Sequence, residues 1–583
     1  MLETEGEQGP TAGDDTGTAT RRLTSLAPAR DLVVIACAVF LCVAFVPALV
    51  SAPFSARFAI LLGFTPVGVV ALIALCIRRD LASIAATGFV AMGVISALLS
   101  DHVRISLIGQ MGKESSALLF AAFFGWWAIG RHMSERGRSL LPYALLIGLG
   151  ISGLVAILQV AIDTGTTSEF GGSIETRGSG LTASPVQLGA LMAAAVAIAS
   201  TLALATSGRR LAAWGGAIVF YAAAANLSGS RVAMVTIVAV LLVLLLIDRT
   251  FRVPVLFAAV VAGTFLSTII DRAGDASSTS RLDAQGSDRL VAWKFGVQSF
   301  FERPIAGFGP GGFRPAIQGR FTAEFVRTSA YDEQHGSWFD AHNLAVEVLV
   351  TVGIIGLFSV GVFSWFALRH ARGPLLAGFA AIAMSWAMQP WAVSTAPIAM
   401  LCLGASAPML TTSEAWKRQT WLHPAMVAAG ALGATCALGY AFIDLRLDAA
   451  IASGNAERIE DAARPFGNDA IVADFVAQGW ANAYFYEGAE RTNLVKWAAE
   501  PALREPDRPY WWSKLAGTRL AFQDYEGARE ALDRAIALQP WSPTAWPLML
   551  SLAEKTDDPD LEALATEKVC AMGLAACPDD SGG

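Results

Sequence analysis

The chain has 583 residues, of which 54% are hydrophobic and only 16% are charged, whereas an ordinary soluble domain is about 25% charged. The mean hydropathy of +0.50, with the charges clustered between long apolar runs, indicates a polytopic membrane protein rather than a soluble enzyme. The formal net charge of −7 therefore says less than the positions of the charges. The seven cysteines show no zinc-site spacing, so zinc chemistry is not expected. A nucleic-acid partner is not expected either.

Long apolar runs recur along the chain after a polar first segment, residues 1–30, which we expect to be a disordered cytoplasmic tail. A helix that crosses about 30 Å of hydrocarbon needs roughly 20 mainly apolar residues. This rule predicts an all-α transmembrane domain over residues 31–443 with about 12 to 13 transmembrane helices and a large loop at 271–341. The thirteen candidate spans are residues 32–50, 58–77, 81–99, 116–130, 140–162, 186–205, 211–227, 232–247, 253–270, 344–368, 375–388, 393–410 and 426–443.

Lysine and arginine are concentrated in alternate connections between these spans, as they are in short cytoplasmic loops. Seven connections agree in succession, so the N-terminus is expected in the cytoplasm, and both the 271–341 loop and everything after residue 443 on the opposite side. The histidines expected on that opposite face are His102, His335 and His342. The basic clusters are Arg21, Arg22 and Arg30, then Arg78 and Arg79, Arg131, Arg136 and Arg138, Arg209 and Arg210, Arg249 and Arg252, Arg369 and Arg372, and Lys417 and Arg418.

Three arginines, Arg177, Arg231 and Arg289, are expected on the face opposite the cytoplasm, which we call the outer face. They depart from the concentration of basic residues in the cytoplasmic loops. An interfacial arginine can simply reach lipid headgroups, so each one alone has a plain interpretation. All three, however, lie beside small or Gly-rich sequence that permits close approach of the backbone. Because a guanidinium group matches phosphate oxygens in a bidentate manner, the set favours an anionic ligand.

The outer loop continues from Arg289 with a predicted helix, in which Arg289 and Trp293 have helical spacing and which Pro304 is expected to end. A Gly-rich segment that contains Gly309 and Gly311 follows. It lacks the Lys-Ser/Thr pair of a P-loop. We interpret it as a tight turn in preference to a direct ligand contact, and both interpretations stay open.

His342 and Asn343 begin the tenth predicted span, and Gly353 and Gly356 lie further along it. A histidine at the end of a span is more often a neighbour of headgroups than a catalyst. Glu347, a little over one helical turn deeper, is costly to place in a membrane and is therefore a functional candidate. A hydrogen-bonded pair of His342 and Glu347 would suit a general base.

The arginine-bearing segments and the segment from His342 to Gly356, taken in chain order, resemble motifs of the bacterial O-antigen ligase and O-antigen polymerase superfamily. The resemblance covers residues 32–443. The ligase branch carries a His-[Asn/Ser/Gln]-x9-Gly-x-x-Gly pattern, which is matched by His342, Asn343, Gly353 and Gly356. Segments 177–187, 228–231 and 289–313 are similar to the other arginine-bearing motifs of the family. The chain has SPVQ where many relatives have NPN, so a contact from that position stays open.

The resemblance implies a GT-C-like glycosyltransferase of the bacterial inner membrane that moves a glycan from a polyprenyl-diphosphate donor, with inversion at the sugar C1 atom. It implies neither a metal nor a nucleotide cofactor. Arg177, Arg231 and Arg289 would bind the diphosphate and stabilise the leaving group, while His342 would orient or deprotonate the acceptor hydroxyl.

The resemblance leaves the acceptor open. A polysaccharide ligase would use a lipid A-core acceptor and is favoured here, a polymerase would use a second lipid-linked glycan, and a protein O-oligosaccharyltransferase would use a protein serine. A polysaccharide or lipid transporter is the alternative from a different class. It would require paired repeats and charged residues deep inside the spans, whereas the polar residues lie at one face.

The polar tail at residues 444–583 predicts a periplasmic helical domain. Residues 509–540 match a tetratricopeptide repeat, and the flanks at 448–504 and 541–574 are expected to hold degenerate helical pairs. The tail would cap the membrane domain or dock a protein partner. Cys570 and Cys577 would lie in an oxidising compartment and could pair. The matching repeat positions are Trp512, Leu515, Ala516, Ala528, Leu532, Ala535 and Pro540.

Overall fold

The fold is taken from a computed structural model. The predicted N-terminal tail up to residue 28 lies outside the described residues, and so do His335 and Cys577, so the predictions that concern them stay predictions. The structure describes residues 29–574 except 51, 111–114, 163, 165, 171–172, 183, 248–251, 272–283, 329–339, 409–420 and 468.

Within the described residues, a helix lies at each of the thirteen predicted spans, and four further helices lie between spans. In the list that follows, every helix corresponds to a predicted span except α4, α11, α12 and α13. In chain order the helices are α1 (Ala29–Val43), α2 (Ala52–Ile77), α3 (Leu81–Leu98), α4 (Val103–Ile108), α5 (Ala117–Arg131), α6 (Glu135–Ala161), α7 (Pro185–Leu204), α8 (Arg209–Leu227), α9 (Arg231–Ile247), α10 (Arg252–Asp271), α11 (Ala284–Phe300), α12 (Phe313–Gln318), α13 (Ala323–Thr328), α14 (Leu344–Leu368), α15 (Gly373–Ser385), α16 (Ala396–Ser406) and α17 (Leu422–Ser453).

Among the described residues, six helices are long and apolar enough to cross a membrane by length and composition, namely α2, α3, α6, α7, α14 and α17. The other apolar helices are mostly shorter. The chain is thus an all-α membrane protein, as predicted from its apolar runs.

α7 lies at the centre of the bundle, because 83% of its most apolar 18-residue stretch is buried. The same share is 11% for α17, which lies at the periphery. α7 packs on α8 and α15, α2 packs on α5 and α17, and α3 packs on α14. Small residues allow the closest approaches, since a Cβ added to Gly68 in α2 would lie 2.5 Å from the Cα atom of Gly125 in α5. An apolar side chain such as Leu438 of α17 is 72% exposed, as expected where a helix faces lipid.

A short antiparallel hairpin, which the sequence did not predict, follows α6. Strand β1 (Thr166–Phe170) pairs with β2 (Ser173–Arg177), and Thr166 lies opposite Arg177. The hairpin therefore ends at the first of the three outer arginines.

The described residues of the tail form a series of helices joined by short turns, and α17 leads into the tail without a break at residue 443. Successive helices pack against each other. The elements are α18 (Ala456–Ala463), a 3₁₀ turn (Arg464–Phe466), α19 (Ala470–Asn482), a π turn (Ala483–Glu487), α20 (Arg491–Arg504), α21 (Pro509–Ala521), α22 (Tyr525–Leu538), α23 (Ala545–Thr556) and α24 (Pro559–Ala571).

The predicted repeat at residues 509–540 forms a helical hairpin of α21 and α22. Leu515, Ala516, Ala528 and Leu532 are buried between its helices and their neighbours. A helical hairpin is what the pattern predicted, while the tetratricopeptide assignment itself stays a prediction.

The outer loop and the tail share one hydrophobic core. Phe295 and Phe313 of the loop and Trp511 and Leu515 of the tail belong to the same buried cluster. Both parts therefore sit together over one end of the bundle, which we call the loop side.

Candidate active site

A break in α14 joins the Gly-rich loop segment to the helix. Gly353 has φ 77° and ψ −174° inside the helix, and the Ile354 amide donates to the carbonyl of Pro304 at 2.9 Å. A Cβ at Gly353 would lie 2.2 Å from the Ile305 carbonyl oxygen, so this position needs glycine for both its backbone angle and its space. A Cβ at Gly356 would lie 2.5 Å from the preceding turn of the same helix.

The Gly-rich segment then turns tightly against the ends of α3 and α14. Gly309 has φ 93°, and its amide donates to the Thr351 carbonyl at 2.9 Å, an acceptor left over by the break. A Cβ at Gly309 would lie 2.6 Å from the Ser100 Cβ. Gly311 donates its amide to Ser115 Oγ at 3.1 Å. These contacts favour the turn interpretation of the segment, because both glycines use their backbone to pack against protein.

Asn343 fixes the start of α14. Its Oδ1 accepts the Val346 amide at 3.1 Å as an N-cap, and its Nδ2 donates to the Ala387 carbonyl at 3.0 Å. The Leu344 amide donates to the Trp386 carbonyl at 2.8 Å. The residue beside the histidine is therefore tied to the turn at residues 386–391, which follows α15.

His342 is held in one orientation by contacts on both sides of its backbone. It adopts the left-handed φ of 48°, and its Nδ1 lies 2.8 Å from Asp340 Oδ1. The preceding Ala341 donates its amide to Glu347 Oε2 at 2.8 Å, and its carbonyl accepts the indole N–H of Trp293 at 2.7 Å. These contacts thus fix the backbone conformation that orients the imidazole of His342.

The expected hydrogen-bonded pair of His342 and Glu347 is corrected by this geometry. The imidazole pairs with Asp340, and Glu347 binds the backbone of Ala341 instead. The left-handed residue turns the chain just before α14 begins, so spacing along an ideal helix does not apply. Glu347 is 4% exposed, and its Oε1 has no hydrogen-bond partner among the described residues.

Arg289 completes an electrostatic cluster with Asp340 and His342. The charge of Asp340 raises the pKa of His342, against burial and the charge of Arg289, which lower it, and the net shift is upward. Burial lowers the pKa of Arg289, and Asp340 opposes that shift. Arg289 Nη1 also lies 3.5 Å from Met388 Sδ, on the 386–391 turn.

The structure brings Arg177 and the Ser228 to Arg231 segment together. Arg177 Nε donates to the Ser228 carbonyl at 3.0 Å, and a Cβ at Gly229 would lie 2.6 Å from that nitrogen, so the guanidinium rests on the glycine. Arg231 is the first residue of α9 and is exposed. The two motifs therefore form one arginine-bearing surface at the loop side.

The turn at residues 386–391 lies between the two groups. Met388 contacts Arg289, and Gln389 Nε2 donates to the carbonyl of Val186, within the 177–187 segment, at 3.5 Å. The turn thus contacts both Arg289 and the 177–187 segment that begins at Arg177. That all three arginines bind one diphosphate stays a prediction.

Sequence reasoning missed the residues that support the 177–187 segment. Arg57 is fully buried, and its guanidinium donates to the carbonyls of Leu41 at 2.9 Å and Leu181 at 2.8 Å. Gln159 Oε1 accepts the Gly180 amide at 2.8 Å. An arginine directly before an apolar span was the available signal, but its partners are distant in sequence.

A cavity of about 350 Å³ adjoins the site, lined by bundle, loop and tail, and it reaches Asp340 and Glu347. Among the described residues, no three or more His, Cys, Asp or Glu side chains are grouped to hold a metal ion.

A family model described as O-antigen ligase matches residues 216–361, which run from α8 into α14. The matched region contains Arg231, Arg289, His342 and the break at Gly353, while Arg177 lies outside it. This match supports a relationship to the O-antigen ligase and polymerase superfamily, whose members are membrane glycosyltransferase-like enzymes. A search of curated proteins found no match to the chain.

Proposed function

We propose that the protein is an inverting, metal-independent glycosyltransferase that moves a glycan from a polyprenyl-diphosphate donor to an acceptor hydroxyl, as an O-antigen or polysaccharide ligase. The observation that carries the proposal is the Asp340–His342 pair, with 2.8 Å between Oδ1 and Nδ1, in one electrostatic cluster with Arg289. A base beside a cation is what glycosyl transfer from a diphosphate requires.

In the proposed step, the acceptor hydroxyl oxygen attacks the C1 atom of the donor sugar from the face opposite the diphosphate. The C1–O bond breaks, its electron pair leaves with the polyprenyl diphosphate, and His342 takes the hydroxyl proton. Because Nδ1 faces Asp340, the proton on that nitrogen stays in place and Nε2 is the basic atom. Asp340 stabilises the imidazolium that forms.

The other site residues bind or position. Arg177 is held by the Ser228 carbonyl, and Arg231 stands exposed at the start of α9, where the helix dipole favours an anion. With Arg289 they would bind the diphosphate and stabilise its growing charge. Glu347 acts through the Ala341 backbone and therefore positions His342.

The polymerase and protein O-oligosaccharyltransferase alternatives use the same donor step and differ in the acceptor. The ligase is favoured because the segment from His342 to Gly356 fits the ligase-branch pattern fully.

The test is transfer by the full-length protein in lipid nanodiscs, supplied with a polyprenyl-diphosphate-linked glycan and lipid A-core. We expect a glycosylated lipid A-core with inverted anomeric configuration by NMR, formed equally well with a metal chelator present. A retained configuration or loss of activity in the chelator would contradict the mechanism, and elongated lipid-linked glycan alone would indicate the polymerase.

The proposed placement is a multi-pass protein of the inner membrane with a cytoplasmic N-terminus and a periplasmic tail, supported by the alternating basic loops. A reporter enzyme that is active only outside the cytoplasm, fused after Ala571, is expected to be active. A cytoplasmic reporter at the same position should be inactive, and the opposite result would reverse the topology.

A further inference from the structure

The cavity beside the active site is built from three parts of the chain. Gln187 and Trp391 line it from the bundle, Phe308 from the outer loop, and Asp507 from the tail. Its volume of about 350 Å³ lies in the range of about 300–1,000 Å³ that small-molecule sites occupy. It is therefore large enough for a substrate group.

The lining combines amide and hydroxyl side chains with aromatic rings. Amides and hydroxyls can both donate and accept hydrogen bonds, and an aromatic ring offers a flat apolar surface. A sugar presents the matching chemistry, with hydroxyls around its edge and C–H groups on its face. The polar members are Gln110, Gln187, Gln318, Ser106 and Ser115, and the aromatic members are Phe120, Phe308 and Trp391.

Four charged side chains of the wall form two pairs, and Arg314, a further cation of the wall, is 3% exposed. His102 Nε2 lies 2.7 Å from Asp507 Oδ2, and Arg508 Nη1 lies 3.4 Å from Glu505 Oε2. None of the three arginines assigned to the diphosphate lines the cavity. Paired charges suit an uncharged ligand with many hydroxyls better than a phosphate, which points to the acceptor rather than to the donor.

The cavity meets the reaction centre at Asp340 and Glu347, on either side of His342 in the chain. Glu347 Oε1 is buried and has no hydrogen-bond partner among the described residues. A buried carboxyl oxygen without a hydrogen-bond partner costs free energy, which a hydroxyl of the ligand would offset. A sugar in this cavity would thus bring a hydroxyl close to the proposed base.

The tail wall is the segment of residues 505–508 between α20 and α21, and it is bound directly to the rest of the site. Gln110 donates to the Glu505 carboxylate, and Gln318 Nε2 donates to the Asp507 carbonyl at 2.5 Å. The position of the tail therefore determines the shape of the cavity.

We infer that this cavity binds the sugar of the acceptor and that residues 505–508 of the tail form the wall that selects it. The inference rests on the proposed function and adds to it the location of the acceptor and a role for the tail.

Two pairs of variants test the cavity and its tail wall. Ile105→Trp fills the cavity from α4, and Val103→Trp on the same helix is its control, because Val103 is 40% exposed and does not line the cavity. Asp507→Ala removes the partner of His102, and Asp461→Ala removes the partner of Arg464 in an exposed tail pair at 2.8 Å.

The probes are core oligosaccharide freed of lipid A, a serine-containing peptide and the polyprenyl-diphosphate donor, each titrated against full-length protein in nanodiscs by calorimetry. We expect the oligosaccharide to bind wild type and both controls alike. Ile105→Trp should weaken it by about tenfold or more, as a steric block in a fitted pocket does, and Asp507→Ala should weaken it less. Donor affinity should be unchanged in all variants.

Four other binding outcomes overturn the inference, and one further outcome bears on the proposed function only. Unchanged oligosaccharide binding in Ile105→Trp removes the cavity as the site, and equal binding in Asp507→Ala removes the tail wall. Loss of donor affinity assigns the cavity to the donor, and binding of the peptide in place of the oligosaccharide assigns it to a protein. Wild type that binds oligosaccharide here but transfers no glycan refutes the proposed function alone.

Discussion

The two halves of the candidate site are built in different ways. Arg177 rests on the backbone of a Gly-Ser loop between membrane helices, and Arg231 beside it is exposed. His342, by contrast, has its backbone fixed by Trp293 and Glu347 at 2.7 and 2.8 Å through the neighbouring residue. Binding an anion tolerates small displacements of a long, charged side chain, whereas proton transfer requires one imidazole orientation. The histidine half is accordingly the more rigid one.

The largest expected effect is on the histidine half. His342→Asn should lower transfer by roughly 10² to 10⁴-fold, the usual contribution of a general base. Asparagine tolerates the left-handed φ of 48° found here, so the backbone should be kept. The measurement is kcat of purified protein, with thermal stability as the control, and near-normal transfer by a stable variant would make His342 a structural residue.

The second largest effect concerns the break at Gly353 in α14, the helix that begins just after His342. Gly353→Ala places a Cβ 2.2 Å from the Ile305 carbonyl oxygen, in a backbone region that costs about 1–3 kcal/mol for other residues. We expect a lower melting temperature and up to roughly 100-fold slower transfer, because small displacements at a reacting centre are costly.

Gly361→Ala is the matched control in the same helix, since nothing lies within 4 Å of a Cβ added there. It should match wild type in stability and activity. Equal effects of the two substitutions would show that glycine in α14 matters for helix flexibility rather than for the junction with the loop.

The arginine half should respond to geometry as well as to charge. Arg231→Ala should weaken donor binding by roughly ten- to a hundredfold, the value of one charged hydrogen bond of about 1.5–3 kcal/mol, without loss of stability because the side chain is exposed. Arg231→Lys should recover only part of the loss, because lysine lacks the bidentate fork. Donor affinity is the measurement.

Arg209→Ala, another exposed arginine at the start of a helix, is the control on the opposite basic loop and should bind donor normally. Full recovery by Arg231→Lys would replace bidentate recognition with a general positive field.

The smallest effect is a shift in the pH dependence of the histidine half. Transfer needs neutral His342, so the rate should fall as the pH drops through the pKa of His342. Asp340 raises that pKa and Arg289 lowers it. Asp340→Asn should therefore move the acid limb of kcat/KM to lower pH, and Arg289→Ala should move it to higher pH. Shifts in the same direction would show that His342 is not the titrating base.

Local pattern determined the helices and the choice of candidate residues. A hydrophobic run of membrane length forms a helix because the backbone must satisfy its own hydrogen bonds in hydrocarbon. The end of α11 at Phe300, shortly before Pro304, follows equally from the missing amide of proline. These features depend on neighbours in sequence, so the sequence alone predicts them.

Only the tertiary structure decided which candidates work together. The partner of His342 is Asp340 because a left-handed residue precedes α14, and Glu347 is used to hold a backbone amide. The support of the 177–187 segment by Arg57 and the tail wall of the cavity join residues far apart in the chain. No periodic pattern encodes such contacts, because they depend on how the helices pack and on how the outer loop and tail pack together over one end of the bundle.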